Sequence, residues 1–341
     1  MSLCRKQHYR LILLIVFFIF ALITLKTHNM EKHLGWMKKK AQSQLNNSMW
    51  LLCKPDPEMI EETQSLFPTC PEMPPGLGPL KVDPQENVSI DKILLENENL
   101  QFGGHGKPAI CNARQKVAII IPYRNREPHL NIWLRYMHPF LQKQQADYGV
   151  YIVEQHGDEK FNRAKLMNIG FVEALKEYDY DCFMFHDVDI IPIDSRHLYR
   201  CKENPRHMAN AQDRHNYRLF YSTAFGGIVG FSREQYLKVN GFSNLFWGWG
   251  KEDDELYQRV FAVGMTVDRA DENIAKSKAI LHTRDKGNEE NKNRFQLMHN
   301  STSRMHSDGL NSLKYDIISF TKHKLYTKLV VDIGHPETTK P

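Results

Sequence analysis

The apolar run VAIII at residues 117–121 constrains the fold more than any other feature of this chain. A strand that exposes one face to water alternates polar and apolar side chains, and this run contains no polar residue. It therefore predicts a strand buried on both faces, as in a parallel sheet covered by helices. We expect Pro122 to end the strand and residues 123–126 to form the loop that follows it.

Helical and strand-like segments alternate after this run. The sequence predicts helices over residues 128–144 and 162–176, and strands over residues 148–154 and 183–185. This alternation is typical of an α/β fold, in which a mostly parallel sheet has helices on both faces. Ligands of such sheets bind beyond the carboxyl ends of the strands, so we expect functional side chains at that edge.

Two charged clusters follow two of the predicted strands. Arg124 and Arg126 follow the first strand, and Asp187 and Asp189 follow the strand at residues 183–185. Carboxylate oxygens suit Mg²⁺ or Mn²⁺, and the arginine guanidinium binds phosphate oxygens in pairs. A solvated loop with surface salt bridges explains the same residues without any ligand. If the strands are parallel, both clusters lie at one edge of the sheet, which favours a site for a metal ion and a diphosphate.

The segment WGWGKEDDE at residues 247–255 combines two tryptophans, two glycines and a run of acids. Glycine permits backbone motion, and an indole face stacks on the C–H groups of a sugar. The acids open a predicted helix, where the helix dipole favours negative charge even without a catalytic role. A carboxylate beside a tryptophan loop is equally suited to deprotonate a sugar hydroxyl. The residues alone leave both interpretations open.

The N-terminus has the pattern of a membrane anchor. Residues 11–25 carry no charge and are preceded by three basic residues. The run is shorter than the roughly 20 residues of a comfortable span, and a cleaved signal peptide is the alternative. No clear cleavage site of small residues follows, which favours an uncleaved type II anchor. The positive-inside rule then predicts a cytosolic tail at 1–10, the anchor at 11–25, a polar stem at 26–65 and a luminal catalytic domain at 66–341.

The net charge of +5 arises in this N-terminal region. Residues 1–40 carry eight Lys or Arg and one acid, whereas the rest of the chain carries 37 basic and 39 acidic residues. A nucleic-acid-binding domain would have a strongly basic surface, so we expect no nucleic-acid partner.

Sequons and cysteines are compatible with a luminal domain. The N-x-S/T sequons at Asn46, Asn87 and Asn300 are candidate glycosylation sites. Five of the six cysteines follow the anchor, in a compartment where disulfides persist, and an odd number leaves at least one unpaired. No C-x-x-C pair is present, which argues against a zinc site.

Many segments, in order from about Cys70 to Gly334, resemble the β-1,4-galactosyltransferase family. They include KVAIIIPYRNR, FNRAK, HDVDIIP, YRCKENPRHM, FGG, WGWGKEDD, HTRDKGNE, DGLNSL and LYTKLVVDIG. The resemblance implies a GT-A glycosyltransferase fold, a Rossmann-like and mostly parallel sheet flanked by helices. It also implies inverting, metal-dependent transfer from a UDP-sugar to a terminal N-acetylglucosamine (GlcNAc) of glycoproteins or glycolipids, by a single-pass type II protein of the Golgi membrane.

The resemblance implies a donor site, a metal site and two disulfides. The UDP-sugar would contact Pro122, Arg124, Arg126, Phe161, Asn162, Arg163, Asp187, Val188, Ala224 and Trp249. Asp189 and His282 would bind Mn²⁺. Disulfides would join Cys70 to Cys111 and Cys182 to Cys201, which leaves Cys53 unpaired.

The resemblance also implies catalytic and acceptor-binding residues. Asp253 would deprotonate the acceptor hydroxyl, and Glu252 would position the sugars. The GlcNAc-terminated acceptor would contact Tyr221, Gly227, Asp254, Arg294, Phe295 and Met298. Direct attack on the donor inverts its anomeric carbon, while the metal and the arginines stabilise the departing UDP.

Three residues depart from the family pattern. Ala279 stands where vertebrate members carry a methionine metal ligand, so we expect altered metal affinity or preference. Lys251 replaces a glycine and would stiffen the tryptophan loop. Ala224 stands where those enzymes carry a tyrosine over the C2 substituent of the donor sugar. The smaller side chain makes room for an acetamido group and slightly favours N-acetylgalactosamine (GalNAc) over galactose.

Two alternatives remain. The chain would be an ordinary UDP-galactose-dependent β-1,4-galactosyltransferase if the pocket at Ala224 does not decide the donor. Because Lys251 and Ala279 are both altered, it could also be an inactive paralogue that binds a glycan or UDP.

Overall fold

Strands and helices alternate through the first half of the described chain. The structure is a computed structural model that describes residues 67–283 and 286–336. Its elements up to residue 192 are α1 (Ile90–Glu96), β1 (Lys116–Tyr123), α2 (Glu127–Lys143), β2 (Asp147–Gln155), α3 (Arg163–Glu177), β3 (Cys182–His186) and β4 (Ile190–Pro192). The predicted helices and strands of this region are confirmed, each bound within two residues.

Short strands and helices build the second half. In chain order they are β5 (Arg206–His207), β6 (Ala211–Gln212), β7 (Ile228–Ser232), α4 (Arg233–Lys238), α5 (Glu252–Ala262), β8 (Asp268–Arg269), β9 (Lys276–Ala279), α6 (Arg294–His299), α7 (Ser301–Arg304), β10 (Asp316–Lys322) and β11 (Thr327–Asp332). Single 3₁₀ turns lie at Asp213–His215 and Leu310–Ser312.

The central sheet has the strand order β10-β11-β2-β1-β3-β7-β5-β8. Its middle strands β11, β2, β1 and β3 run parallel to one another. Antiparallel pairs flank them, with β10 against β11 and β7 against β3 and β5. The predicted parallel sheet is confirmed at its centre. A second sheet has the strand order β4-β9-β6. In sequence, β4 directly follows the metal candidate Asp189, and β9 precedes the metal candidate His282.

The apolar run of β1 contributes to two cores at once. Val117, Ile119 and Ile121 pack in the cluster that contains α2, whereas Ala118 and Ile120 pack in the cluster that contains α3. Full burial of one such aliphatic side chain stabilises the fold by about 1.5–3 kcal/mol. Because both faces are covered, no position from Val117 to Ile121 is left for a polar side chain.

Pro122 does not end β1, and that prediction is wrong. The strand continues to Tyr123, and Pro122 pairs with Val153 of β2. Pairing of β1 with β3 stops at Ile120. Beyond this residue, no backbone N–H of β1 is required for pairing with β3. A residue without an N–H is tolerated at such a place.

The proline-rich segment before β1 lies extended along the domain. The Leu80 N–H donates to the Ile193 carbonyl at 2.8 Å, and the Gly78 N–H donates to Ser195 Oγ at 2.9 Å. Both predicted disulfides, Cys70–Cys111 and Cys182–Cys201, are confirmed. The first attaches this segment to the residues that precede β1.

The predicted tail, anchor and stem, with Asn46 and Cys53, lie outside the described residues. Within residues 67–283 and 286–336, no helix combines the length and apolar character needed to cross a membrane. The sequon residues Asn87 and Asn300 are both exposed.

Candidate active site

Charged residues from several loops meet in one cleft of about 250 Å³ at the carboxyl edge of the sheet. The clusters after β1 and β3 both contribute to it, which confirms that they share an edge. Its lining consists of Pro122, Arg124, Arg126, Phe161, Arg163, Asp187, Val188, Asp189, Arg214, Trp249, Glu252, Asp253, His282 and Asn288.

Arg163 lies among three carboxylates of the cleft. Its Nε donates to Asp187 Oδ1 at 2.6 Å, and its Nη1 donates to Asp253 Oδ1 at 2.7 Å. The same Nη1 lies 3.6 Å from Glu252 Oε1. Arg163 is the first residue of α3, so the rigid helix fixes its position. One guanidinium cannot neutralise three carboxylates, and this leaves a surplus of negative charge.

Burial and mutual repulsion change the protonation of these acids. Burial, reinforced by the charges of Glu252 and Asp187, raises the pKa of Asp253 to about 8, although Arg163 opposes the change. Burial also raises the pKa of Asp187 and that of Glu252. An acid that titrates near neutral pH is suited to act as a general base. Asp253, which lines the cleft and has a pKa of about 8, is therefore a candidate base.

The acidic run at the start of α5 divides into distinct roles. Glu252 and Asp253 line the cleft, whereas Glu255 is fully buried and receives a hydrogen bond from Arg259 Nε at 2.8 Å. Asp254 accepts hydrogen bonds from the Tyr221 hydroxyl at 2.8 Å and Lys251 Nζ at 2.9 Å. The four acids therefore have different surroundings and partners, and the helix dipole by itself does not explain all of them.

Gly226 lets Asp253 lie close to the backbone before β7. A Cβ atom at residue 226 would be 2.5 Å from Asp253 Oδ2, so a larger residue would displace the carboxylate. The neighbouring Gly227 carbonyl accepts a hydrogen bond from the Asp187 N–H at 2.9 Å. The Phe-Gly-Gly segment thus positions two of the three acids around Arg163.

Asp189 and His282 face each other on the cleft wall. Asp189 Oδ2 lies 3.1 Å from His282 Nε2, and the Ile280 N–H donates to the Asp189 carbonyl at 2.7 Å. Within the described ranges, no group of three or more His, Cys, Asp or Glu side chains converges on a metal position. One carboxylate oxygen and one imidazole nitrogen fit Mn²⁺ if diphosphate and water oxygens complete its coordination.

Ala279 contributes no ligand to this pair. It is buried in β9, opposite Ile190, and its N–H donates to Asp213 Oδ1 at 3.0 Å. Its backbone therefore connects β9 to the 3₁₀ turn at Asp213–His215.

A second cavity of about 200 Å³ adjoins the cleft and shares Asp187, Arg214 and Asp253 with it. Ala224 and the predicted acceptor residues Tyr221 and Gly227 line this cavity. Ala224, one of the three residues that depart from the family pattern, thus lines the same cavity as the candidate base Asp253.

Arg214 and Asn288 line the cleft although no sequence pattern pointed to either residue. Arg214 lines both cavities, and its Nη2 lies 3.7 Å from Asp189 Oδ2. It follows short strands in an irregular segment without periodic pattern, so no local signal pointed to it.

Asn162 is not among the residues that line the cleft, and its contact with UDP stays a prediction. Its side chain is fully buried, its Oδ1 accepts a hydrogen bond from the Lys165 N–H at 2.9 Å, and its Nδ2 donates to the Asn244 carbonyl at 2.8 Å. Asparagine is a preferred helix N-cap because its side-chain oxygen pairs with a free N–H of the first turn. Asn162 therefore caps α3 and positions Arg163.

Arg294, Phe295 and Met298 lie on α6 and are not among the residues that line the two cavities. The Lys251 ammonium lies 5.5 Å from the centre of the Phe295 ring, which places α6 next to the tryptophan loop. Contact of these residues with an acceptor thus remains a prediction.

The tryptophan loop is held by its backbone while the indole of Trp249 is half-exposed. The Trp249 N–H donates to the Glu289 carbonyl at 2.8 Å, and the Asn291 N–H donates to the Trp249 carbonyl at 3.0 Å. Lys251 has a φ of +73°, in the left-handed region that non-glycine residues seldom adopt.

Two family models of glycosyltransferases match the chain. A family model described as the N-terminal region of glycosyl transferase group 7 matches residues 70–202, and one described as the N-terminal domain of galactosyltransferase matches residues 206–283. The chain is 46% identical over 276 residues to β-1,4-galactosyltransferase 2 of Cricetulus griseus, covering 80% of this chain and 75% of that protein. It is 46% identical over 271 residues to β-1,4-galactosyltransferase 1 of Homo sapiens, covering 79% and 68%.

Solved structures show the same fold. The catalytic domain of Drosophila β-1,4-galactosyltransferase 7 in complex with xylobiose matches with a TM-score of 0.57 and 29% identity, covering 64% of this chain and 94% of that one. A mutant of that enzyme in complex with manganese, UDP-Gal and xylobiose matches with a TM-score of 0.56 and 28% identity, with the same coverage. The fold described above is accordingly GT-A-like.

Proposed function

This chain belongs to the β-1,4-galactosyltransferase family, and from that premise we propose that it transfers GalNAc from UDP-GalNAc, in β-1,4 linkage, to a terminal GlcNAc. The reaction inverts the anomeric carbon and depends on Mn²⁺. UDP-galactose is the alternative donor, since the family's name records that sugar.

The observation that carries the proposal is the position of Asp253 between the two cavities. The cleft with the arginines suits the nucleotide diphosphate, and the second cavity suits the sugars. Asp253 lines both and has a pKa raised to about 8 by burial. Its carboxylate takes the proton of the acceptor hydroxyl as that oxygen attacks the donor carbon from the side opposite to UDP.

The diphosphate leaves as an anion, so positive charge along the cleft lowers the barrier. Arg124, Arg126 and Arg214 line the cleft and would contact the diphosphate oxygens. Asp189 and His282 would hold Mn²⁺, which adds electrostatic stabilisation of the leaving group. Arg163 holds Asp187 and Asp253 in place and thereby orients the base relative to the donor.

Ala224 is the basis for the choice of donor. It is buried on the wall of the second cavity, beside Asp187 and Asp253. A tyrosine at this position would fill part of the space next to the donor sugar. The small methyl group leaves that space for the C2 acetamido group of GalNAc.

We propose a Golgi membrane location for the full chain, with the catalytic domain in the lumen. The uncharged run at residues 11–25 and the basic residues before it support this orientation.

The test compares UDP release from UDP-GalNAc, UDP-galactose, UDP-GlcNAc and UDP-glucose by the full chain with Mn²⁺ and a β-GlcNAc acceptor. We expect UDP-GalNAc to be used best, and Asp253→Asn to abolish turnover with every donor. We also expect Ala224→Tyr to shift use towards UDP-galactose by about tenfold or more, since a filled pocket excludes the larger sugar.

Preference of the unaltered chain for UDP-galactose would reject the donor assignment and leave an ordinary galactosyltransferase. Absence of turnover with all donors, in a folded protein that still binds UDP, would instead support the inactive paralogue.

A further inference from the structure

Two side-chain oxygens on the wall of the second cavity have no hydrogen-bond partner. Asn210 and Gln212 both line this cavity, and Asn210 Oδ1 and Gln212 Oε1 are buried and unpaired. Asn210 is itself only 4% exposed. Buried amide oxygens are almost always paired in folded proteins, so an unpaired couple beside a cavity indicates a missing partner.

The orientation of both amides is fixed by their nitrogens. Asn210 Nδ2 donates to the Ala270 carbonyl at 3.0 Å, and Gln212 Nε2 donates to the Ala209 carbonyl at 3.2 Å. Rotation of either amide would place its oxygen against a carbonyl oxygen, which is repulsive. The unpaired atoms are therefore acceptors, and the partner that would satisfy them is a hydrogen-bond donor.

The same cavity offers an apolar surface next to these acceptors. Ala209, Ile190 and Ala224 line it with aliphatic groups. Arg269 Nη2 donates to the Ser222 carbonyl at 3.1 Å and to the Ala224 carbonyl at 2.9 Å, which holds this wall in place. A group that fits has one N–H or O–H beside a small apolar end, and a secondary acetamide has both.

We propose that Asn210 and Gln212 form the polar end of a subsite for the acetamido group of the donor, with their oxygens accepting the hydrogen bond of its N–H. This inference rests on the proposed function and extends it, since space at Ala224 admits the acetamido group while these oxygens recognise it. Asn210 and Gln212 then determine specificity without taking part in the proton transfer at Asp253.

The subsite predicts an asymmetry between donors. When the donor is UDP-galactose, the space of the acetamido group is left to water, which pairs with the amide oxygens where they are present and with other water where they have been removed. When the donor is UDP-GalNAc, the N–H is buried, and without an acceptor it stays unpaired. Loss of the oxygens should therefore impair use of UDP-GalNAc more than use of UDP-galactose.

The decisive probe is a UDP-GalNAc analogue in which CH₂ replaces the acetamide N–H, so that the side group is a ketone of nearly unchanged size. For the unaltered full chain, we expect kcat/KM to be about tenfold higher with UDP-GalNAc than with the ketone analogue, as one lost hydrogen bond predicts. In the double variant Asn210→Leu and Gln212→Met, which keeps side-chain size and removes both oxygens, this ratio should fall to near one. Each single variant measures how much its own oxygen contributes to this ratio.

Affinity for UDP and the midpoint of thermal unfolding serve as controls that the double variant is folded. If the double variant fails to fold, two measurements still test the inference. They are the ratio of kcat/KM between UDP-GalNAc and the ketone analogue for Gln212→Met alone and the same ratio for the unaltered chain. Equal use of UDP-GalNAc and the ketone analogue by the unaltered chain would overturn the subsite, and so would a ratio that the variants leave unchanged. Either result leaves the proposed transfer of GalNAc standing, whereas a chain that uses UDP-galactose and rejects UDP-GalNAc overturns both.

Discussion

Asp253 owes its chemistry to the residues around it. It is surrounded by Glu252, Asp187 and Arg163, and burial makes its ionisation unfavourable. Arg163 provides a compensating charge within hydrogen-bond distance. The result is a carboxyl group whose pKa is raised from its usual acidic range to about 8.

The pKa of Asp253 predicts the pH dependence of the reaction. Because only the ionised carboxylate accepts a proton, kcat/KM should rise with pH and level off above about 8. Asp253→Asn should lower kcat by about 10²–10⁴-fold. A pH profile of kcat/KM for the donor checks this, with Asp254→Asn as the control that retains the profile. A rate that is independent of pH between about 6 and 9 would contradict the role of Asp253 as the base.

Lys251 is the residue at which the tryptophan loop, residues 248–251, departs from the family pattern. Its backbone is in the left-handed region, its ammonium donates to Asp254 at 2.9 Å, and it lies 5.5 Å from the centre of the Phe295 ring. A strained conformation that persists needs surrounding contacts to hold it, and these two contacts do so.

Lys251→Gly should make the loop more mobile. Glycine adopts a positive φ without strain and lacks both side-chain contacts, so the variant loses the two contacts that hold residue 251. Hydrogen exchange of a peptide spanning these residues should become faster. Lys251→Met is the control, since it keeps the strained backbone and the chain length while removing the charge. Exchange as slow in Lys251→Gly as in the unaltered chain would show that Lys251 does not stiffen the loop.

Among the elements, α5 depends on a buried ion pair for its position. Arg259 and Glu255 are both fully buried, and Arg259 Nη1 also donates to the Asp308 carbonyl at 2.8 Å. Ser301 Oγ adds a hydrogen bond to Glu255 at 2.9 Å. These contacts connect α5 to α7 and to the loop after it. The pair thereby fixes the helix whose first turn carries Glu252 and Asp253.

Arg259→Met should destabilise the protein by about 3–5 kcal/mol, because it removes the hydrogen-bonded counter-charge of the buried Glu255 carboxylate and leaves only Arg304, whose Nη2 lies 3.9 Å away. Replacing both residues with leucine should restore part of the loss, since no buried charge then remains unpaired. The free energy of unfolding in denaturant measures both changes. Lys322→Met, which breaks a partly exposed pair with Glu177, is the matched control and should change stability by about 1 kcal/mol or less. An equally small effect of Arg259→Met would show that the buried pair does not support α5.

At the scale of the whole molecule, the location of the catalytic domain can be tested through its sequons. Asn87 and Asn300 are exposed at opposite ends of the described sequence, and glycans are attached only in the secretory lumen. The full chain expressed in eukaryotic cells should therefore lose mass on treatment with an N-glycosidase. Asn87→Gln and Asn300→Gln together should reduce that loss. A chain of unchanged mass, with the enzyme confirmed active on a control glycoprotein, would contradict the luminal orientation.

The sequence by itself determined the framework of this protein. The uninterrupted run of β1, the spacing of the helices and the clusters at Arg124 and Asp187 are local patterns, and they predicted the sheet and the edge that holds the site. Local patterns suffice here because burial on one or both faces of an element is recorded in the periodicity of its own residues.

The tertiary structure alone decided what the individual polar residues do. Arg163 and Asp253 are 90 residues apart in sequence, and only folding brings them to 2.7 Å. Asn162 caps a helix instead of lining the cleft, Arg214 joins both cavities, and the oxygen of Asn210 is left unpaired at a cavity wall. Protonation and hydrogen-bond satisfaction depend on neighbours from distant parts of the chain and on exclusion of water, and neither is encoded in any short stretch of sequence.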